Sequence, residues 1–364
     1  MFKIKVLVVD DTIFFRKIVS EILQSFSFVE VVGTANNGQI AMSRIRLLKP
    51  DLLTLDVEMP TMNGLQVLQD IRQQKLPVDC LMLSSKTLTG CDITLQALEL
   101  GAFDFITKPD DLSPQVNLQI LTRELRKKLK IYFERLKILN TKGGKKPVGY
   151  PPPSSTPSKS ISLPRLKTTI AKRGEKSHAV AIGISTGGPF ALSNMLPKLP
   201  GNIDVPVFLV QHMPPLFTES LAHNLNNKCQ LTVKEAVDGE EVKKNFVYIA
   251  PGGKQMKVAS GINLNKVIRV TDAPPENNCK PSVDYLFRSV AREYGSKATC
   301  VVMTGMGTDG KLGMAVTKAS GAINIAQNEG TCVVYGMPKV AIEADLIHVI
   351  APLDKISDEI LKTI

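Results

Sequence analysis

Residues 179–189 read AVAIGISTGGP. A short apolar run that breaks at glycine reads as a buried strand, and the small residues that follow let the chain turn sharply into a helix. Gly183-x-Ser185-x-Gly187 is thus a strand–turn–helix junction that exposes a hydroxyl beside helix N–H groups, which favour an anion. Taken alone, such a turn more often binds a phosphate or simply packs. Here it lacks the GxGxxG spacing of a dinucleotide loop and the Lys-Ser/Thr of a phosphate-binding loop.

Working outward, more apolar runs follow: VPVFLV (205–210), FVYIAP (246–251), KVIRV (266–270), ATCVVMT (298–304) and GAINIA (321–326). Helical stretches such as PSVDYLFRSVAREYG (281–295) lie between many of them. Residues 178–364 therefore read as a mainly parallel α/β domain. Upstream, KVLVV (5–9), VEVVG (29–33), DLLTL (51–55), DCLMLS (79–84) and AFDFIT (102–107) alternate with helical stretches. Five such units predict a smaller, doubly wound parallel α/β domain over residues 1–120. Residues 121–177 carry the rest of a Leu/Lys-rich helix (114–139) and a Pro/Ser/Lys-rich linker, whose composition cannot bury enough surface to order itself. The fold class is α/β, with two doubly wound domains on a flexible linker.

The net charge of +11 invites a nucleic-acid reading, but its location argues against one. Residues 123–176 hold 16 Lys/Arg against 3 Asp/Glu, so the rest of the chain is slightly acidic. That segment reads as a solvated tether. No apolar run is long enough for a membrane helix, and Asp10-Asp11 rules out a signal peptide at the N-terminus. Six scattered cysteines with no CxxC pair fit free thiols in a reducing cytosol.

In a parallel sheet, ligands gather beyond the carboxyl ends of the strands. In the first domain those ends carry Asp10-Asp11, Asp56 with Val57-Glu58-Met59-Pro60, Ser84-Ser85, and Thr107-Lys108-Pro109. Any one Asp there could be a helix cap. Three carboxylates on one rim call for a hard cation, and Mg²⁺ also leaves room for a phosphate. A carboxylate beside it can form an acyl phosphate. Lys108 and the Ser84 hydroxyl would contact that phosphoryl group. In the second domain, His212 (in QHMP) ends the run after Ser185, and Asp309 (in TGMGTDG) ends a later one. A serine needs a base such as imidazole, and imidazole needs an acceptor to fix its tautomer. Alone, His212 could be a hydrogen-bonded strand end and Asp309 a helix cap.

These motifs carry a resemblance. Residues 1–120 resemble a response-regulator receiver domain through Asp10-Asp11, LDVEMPTMNG around Asp56, Ser84 and Thr107-Lys108-Pro109. Residues from about 178 resemble the catalytic domain of CheB-type protein-glutamate methylesterases through GISTGGP, QHMP, IAPGG and TGMGTDG. The resemblance implies phosphorylation of Asp56 by a CheA-type histidine kinase. It implies Mg²⁺ on Asp11, Asp56 and the Glu58 carbonyl, with Asp10 acting through water, and an aromatic switch at Phe105. It implies Ser185 as nucleophile, His212 as base, Asp309 as orienting acid and the Met306 backbone N–H as an oxyanion donor, with no cofactor for the esterase. The expected substrates are methyl esters, and also glutamines, on cytoplasmic chemoreceptor helices. The expected place is the cytoplasm, at receptor arrays, without membrane insertion or nucleic acid. A non-catalytic receptor-binding scaffold is the alternative.

Overall fold

The computed structural model describes residues 2–110, 113–141, 175–262 and 265–364, with side chains of the helix at 114–141 described to residue 137. Of the expected helix-and-linker segment 121–177, residues 142–174 lie outside the described residues. The chain divides into two compact units, Met1–Pro152 and Pro153–Ile364.

In the first unit the elements alternate strictly: β1 Ile4–Val9, α1 Ile13–Gln24, β2 Val29–Ala35, α2 Gly38–Leu48, β3 Leu52–Asp56, α3 Gly64–Gln73, β4 Asp79–Ser84, α4 Leu88–Glu99, β5 Asp104–Thr107 and α5 Pro114–Thr141. The strands form one parallel sheet in the order β2-β1-β3-β4-β5. Strand β3 is buried along its whole length, as expected with helices on both faces. The Tyr132 hydroxyl ties α5 to the sheet by donating to the Asp51 carbonyl at 2.7 Å. Lys128 pairs with Asp104 and Arg135 with Asp79. The tether reading therefore fails for residues 123–137. They lie on α5, and several of their charges have acidic partners.

The second unit holds β6 Ala179–Ile184, α6 Gly188–Met195, β7 Val207–Gln211, α7 Phe217–Asn226, β8 Thr232–Glu235, β9 Phe246–Ile249, β10 Gln255–Ser260, β11 Lys266–Thr271, α8 Val283–Tyr294, β12 Ala298–Val302, α9 Lys311–Ala319, β13 Ile323–Gln327, α10 Met337–Glu343, β14 Val349–Ala351 and α11 Ile356–Leu361. Seven strands make a parallel sheet in the order β14-β13-β12-β6-β7-β9-β8. The run 266–270 does not join it. It pairs antiparallel with β10 as a separate ribbon, and Gly261 N–H donates to the Asn265 carbonyl at 2.7 Å at its closed end. Strands β6 and β12 are neighbours although far apart in sequence, so the chain reverses its winding between them and opens a crevice there.

Helix α8 carries one apolar face, with Val283, Leu286, Phe287 and Val290 fully buried. It packs close to β6 because position 183 is glycine: a Cβ there would sit 2.3 Å from a Val283 methyl. Gly183→Ala should push the start of α8 away and destabilise this unit by about 1–3 kcal/mol, the usual cost of overpacking. Urea unfolding followed by circular dichroism measures it, and an unchanged midpoint would contradict the close packing.

Candidate active site

Ser185 stands at the carboxyl end of β6. Its N–H donates to the Thr304 carbonyl at 2.9 Å. Its own carbonyl accepts from Gly188 N–H at 2.8 Å and from Gln211 Nε2 at 3.0 Å. Gly187 takes φ +81°, a left-handed conformation open to glycine, and this completes the turn into α6. Strand β7 runs beside β6, and His212 N–H donates to the Ile184 carbonyl at 3.1 Å. Ser185 and His212 thus leave adjacent strand ends. Gln211 Nε2 also donates to the His212 carbonyl at 3.2 Å, so one buried amide holds both backbones.

Asp309 comes from the loop after β12 and is almost fully buried. Its Oδ1 accepts from Ser282 Oγ (2.8 Å), Asp284 N–H (3.0 Å), Gly310 N–H (3.0 Å) and Asn277 Nδ2 (3.2 Å). Its Oδ2 accepts from Val283 N–H at 2.8 Å and lies 2.7 Å from His212 Nε2. The N–H groups of Val283 and Asp284 are the orphan donors at the start of α8, so the carboxylate also sits at the positive end of a helix dipole. Burial raises the Asp309 pKa, but His212 and these backbone donors outweigh it and hold the group down at about 2. Burial pulls the His212 pKa down, and the Asp309 and Cys279 contacts more than reverse that, lifting it to about 9. The same contacts favour the imidazolium form of the ring.

With Nε2 committed to Asp309, Nδ1 is the ring nitrogen left to act. It faces Cys279 Sγ at 3.7 Å. No hydrogen bond joins Ser185 Oγ to the ring among the described residues, and such contacts are often long before substrate binds. The loop after β12 reaches Ser185 because position 305 is glycine: a Cβ there would lie 2.7 Å from Ser185 Cβ. Met306 follows with a partly exposed side chain, and its N–H donates to no group among the described residues. The loop is fixed from behind. Thr304 Oγ1 accepts from Val333 and Val334 N–H groups, and the Gly305 carbonyl accepts from Gly336 and Met337 N–H groups.

In the first unit, Asp10, Asp11 and Asp56 bring carboxylate oxygens within 4.8 Å of one another. Lys108 Nζ spans Asp10 (2.9 Å) and Asp56 (2.8 Å) and lies 4.7 Å from the Phe15 ring centroid. Burial raises the Asp56 pKa most. Lys108 opposes it, Asp10 and Asp11 add to it, and the result is about 6. Burial lowers the Lys108 pKa, but Asp56 and Asp10 together raise it above its ordinary value. Three carboxylates against one ammonium leave negative charge uncompensated, and an all-oxygen set suits Mg²⁺. The Ser84 hydroxyl is buried, donates to the Ser85 and Gly90 carbonyls at 3.1 and 3.2 Å, and accepts from Thr94 Oγ1 at 2.7 Å. A phosphoryl contact would require it to exchange one of these. Phe105 is turned inward and nearly buried. The Glu58 side chain is exposed and accepts from Ser85 Oγ at 3.2 Å.

Reading the sequence missed Gln211, Asn277, Cys279, Ser282 and Thr304. Gln211 stood beside His212 in QHMP, but an amide that bonds only to main chain has no sequence signature. Cys279 lies in a loop with no periodicity to place it.

The chain matches the family described as CheB methylesterase over residues 180–360, and the response regulator receiver domain over residues 6–117. It is 50% identical to the protein-glutamate methylesterase/protein-glutamine glutaminase of Desulfotalea psychrophila, covering 100% of this chain and 99% of that one. It is 44% identical to the protein of the same name from Bacillus subtilis, over 98% of this chain and 97% of that one. The crystal structure of the Thermotoga maritima CheB methylesterase catalytic domain is 42% identical, with a TM-score of 0.51, covering 52% of this chain and all of that one. With both of its parts matched and relatives aligned end to end, this chain belongs to the CheB methylesterase family that carries a response regulator receiver domain.

Proposed function

We propose that this chain is a phosphorylation-controlled esterase that hydrolyses glutamate γ-methyl esters on chemoreceptors and also deamidates receptor glutamines. The observation that carries the reading is the 2.7 Å Asp309–His212 contact at the strand end beside Ser185. The names of its relatives supply the substrate class. The division of labour is a receiver over 1–120, a helix and linker over 121–177, and an esterase over 178–364, working in the cytoplasm at receptor arrays. Among the described residues no helix is long and apolar enough to cross a membrane.

His212 Nδ1 takes the proton from Ser185 Oγ, which attacks the ester carbonyl. Asp309 keeps the Nε2 proton in place and balances the imidazolium as it forms. The Met306 N–H donates to the tetrahedral oxyanion. Methanol departs with the proton from His212, and for a glutamine the leaving group is ammonia. Water then enters, gives a proton to the same nitrogen and attacks the acyl carbon, and the carboxylate is released as Ser185 Oγ takes that proton back.

In the receiver, Asp56 accepts a phosphoryl group from a CheA-type histidine kinase. Asp10, Asp11, Asp56 and the Glu58 carbonyl would hold Mg²⁺, which supplies charge neutralisation for that transfer. Lys108 then trades its Asp56 contact for phosphoryl oxygens, Ser84 turns to meet one, and Phe105 follows. That local change shifts the population toward active esterase.

Ser185→Ala should lower methanol release from methylated receptor membranes by roughly 10⁴-fold or more, because the covalent route is lost. Asp309→Asn should cost roughly 10³–10⁴-fold, since an amide can hold the wrong tautomer. Unfolding midpoints run alongside show whether the variants are intact, and near-normal turnover in intact Ser185→Ala would sink the assignment. A small-molecule phosphodonor should stimulate the wild-type chain, and the stimulation should vanish in Asp56→Asn. Equal stimulation of the two would place the control elsewhere.

A further inference from the structure

His212, Cys279 and Asp309 bring potential metal-ligating atoms within 4.8 Å of one another. Cys279 has no part in the hydrolytic route above, yet its Sγ lies 3.7 Å from His212 Nδ1. A zinc ion at about 2.3 Å from sulfur and about 2.05 Å from nitrogen would bridge that gap with an N–Zn–S angle of about 115°, close to tetrahedral. The far nitrogen, Nε2, is already held by Asp309 at 2.7 Å. A carboxylate in that position fixes the tautomer and orientation of a ligating imidazole.

The thiol is held in place by its own loop. Cys279 and Glu276 exchange both main-chain hydrogen bonds, at 2.7 and 3.1 Å, around Asn277 and Asn278, which take φ +51° and +58°. Gln255 is fully buried, and its Nε2 donates to the Cys279 carbonyl at 3.4 Å. Arg288 clamps Glu276 through both carboxylate oxygens at 2.6 and 2.8 Å. The other contact of the sulfur is to the Asn277 carbonyl, at 3.5 Å. The side chain is only half-buried, so a cation can reach it.

We propose that Cys279 Sγ and His212 Nδ1 form an inhibitory site for a thiophilic divalent cation of the zinc class, with water or substrate oxygen completing the coordination. The inhibition rests on His212 being the base, because a metal on Nδ1 occupies the lone pair that would take the Ser185 proton. Binding replaces the thiol proton and the Nδ1 proton of the imidazolium with bonds to the metal and releases both protons to solvent. Two protein ligands, where resident zinc sites have three or four, make the site weak and reversible. The receiver cluster offers only oxygen ligands and suits hard cations, so the two sites sort metals by softness.

The full chain is titrated with Co²⁺ as an optical probe, and methanol release is then measured over a range of Zn²⁺ with and without chelator. Wild type, Cys279→Ala, Cys279→Ser and His212→Gln are compared, each against its own metal-free rate. A thiolate-to-cobalt charge-transfer band is expected in wild type and absent from both Cys279 variants. Zn²⁺ inhibition of wild type should reverse with chelator. The Cys279 variants should need more Zn²⁺ for half-inhibition, by at least the roughly 10–100-fold that loss of even an outer-shell partner costs. Equal inhibition of wild type and both Cys279 variants, or no sulfur-to-cobalt band in wild type, overturns the site. Neither result touches the assignment of His212 as base. That assignment falls if metal-free His212→Gln keeps wild-type turnover.

Discussion

A carboxylate taken out of water keeps its charge only if donors replace the water it loses. Asp309 meets that condition with the opening N–H groups of α8, the Ser282 hydroxyl, the Asn277 amide and the N–H of Gly310. One direction remains, and His212 fills it. The orientation of the imidazole, and the identity of the nitrogen that it turns toward Cys279, both follow from this anchor. The anchor in turn requires β12 to lie next to β6, so that the loop after one reaches the turn after the other.

The two units solve opposite electrostatic problems at equivalent places in their sheets. Around Asp309 the donors are in surplus, and the acid stays ionised down to about pH 2. Around Asp56 the acids are in surplus, and the carboxyl is pushed up to about 6 despite Lys108. The first environment holds a fixed charge still. The second is short of positive charge, which is what the proposed binding of a cation and a phosphoryl group would supply. The same α/β logic of strand ends therefore yields a donor-rich site in one unit and an acid-rich one in the other.

The strands that bury both faces were legible in sequence, because a run such as DLLTL has little alternative to the inside of a parallel sheet. Ser185 and His212 could be named because each directly follows such a run, and Asp309 because it lies in the glycine-rich loop that ends one. Their supports could not. The ribbon that contains residues 266–270 has the same apolar character as a sheet strand, and only its partner across Gly261 decides its place. Strand β8, at the sheet edge, is too short and too polar to stand out. Cys279 looked like one of six scattered thiols, and its neighbour is set by a turn of two left-handed asparagines that no periodicity announces. Residues 123–137 were legible as helix but not as docked helix, since the ion pairs with Asp79 and Asp104 join distant parts of the chain.

Helix α8 ties the chemistry to the interior in a further way. Its first N–H groups hold Asp309, while Leu286, Phe287 and Val290 on the same helix lie in the centre of the core. The acid itself stands on the loop after β12, between Gly307 and Gly310, and is held there by donors anchored in the core. Where the active-site residues of an enzyme sit on loose loops, gentle heating abolishes turnover well before the fold melts. Here the donors that hold the acid belong to the start of a core helix, so loss of the acid's position is expected to accompany the melting of the esterase unit.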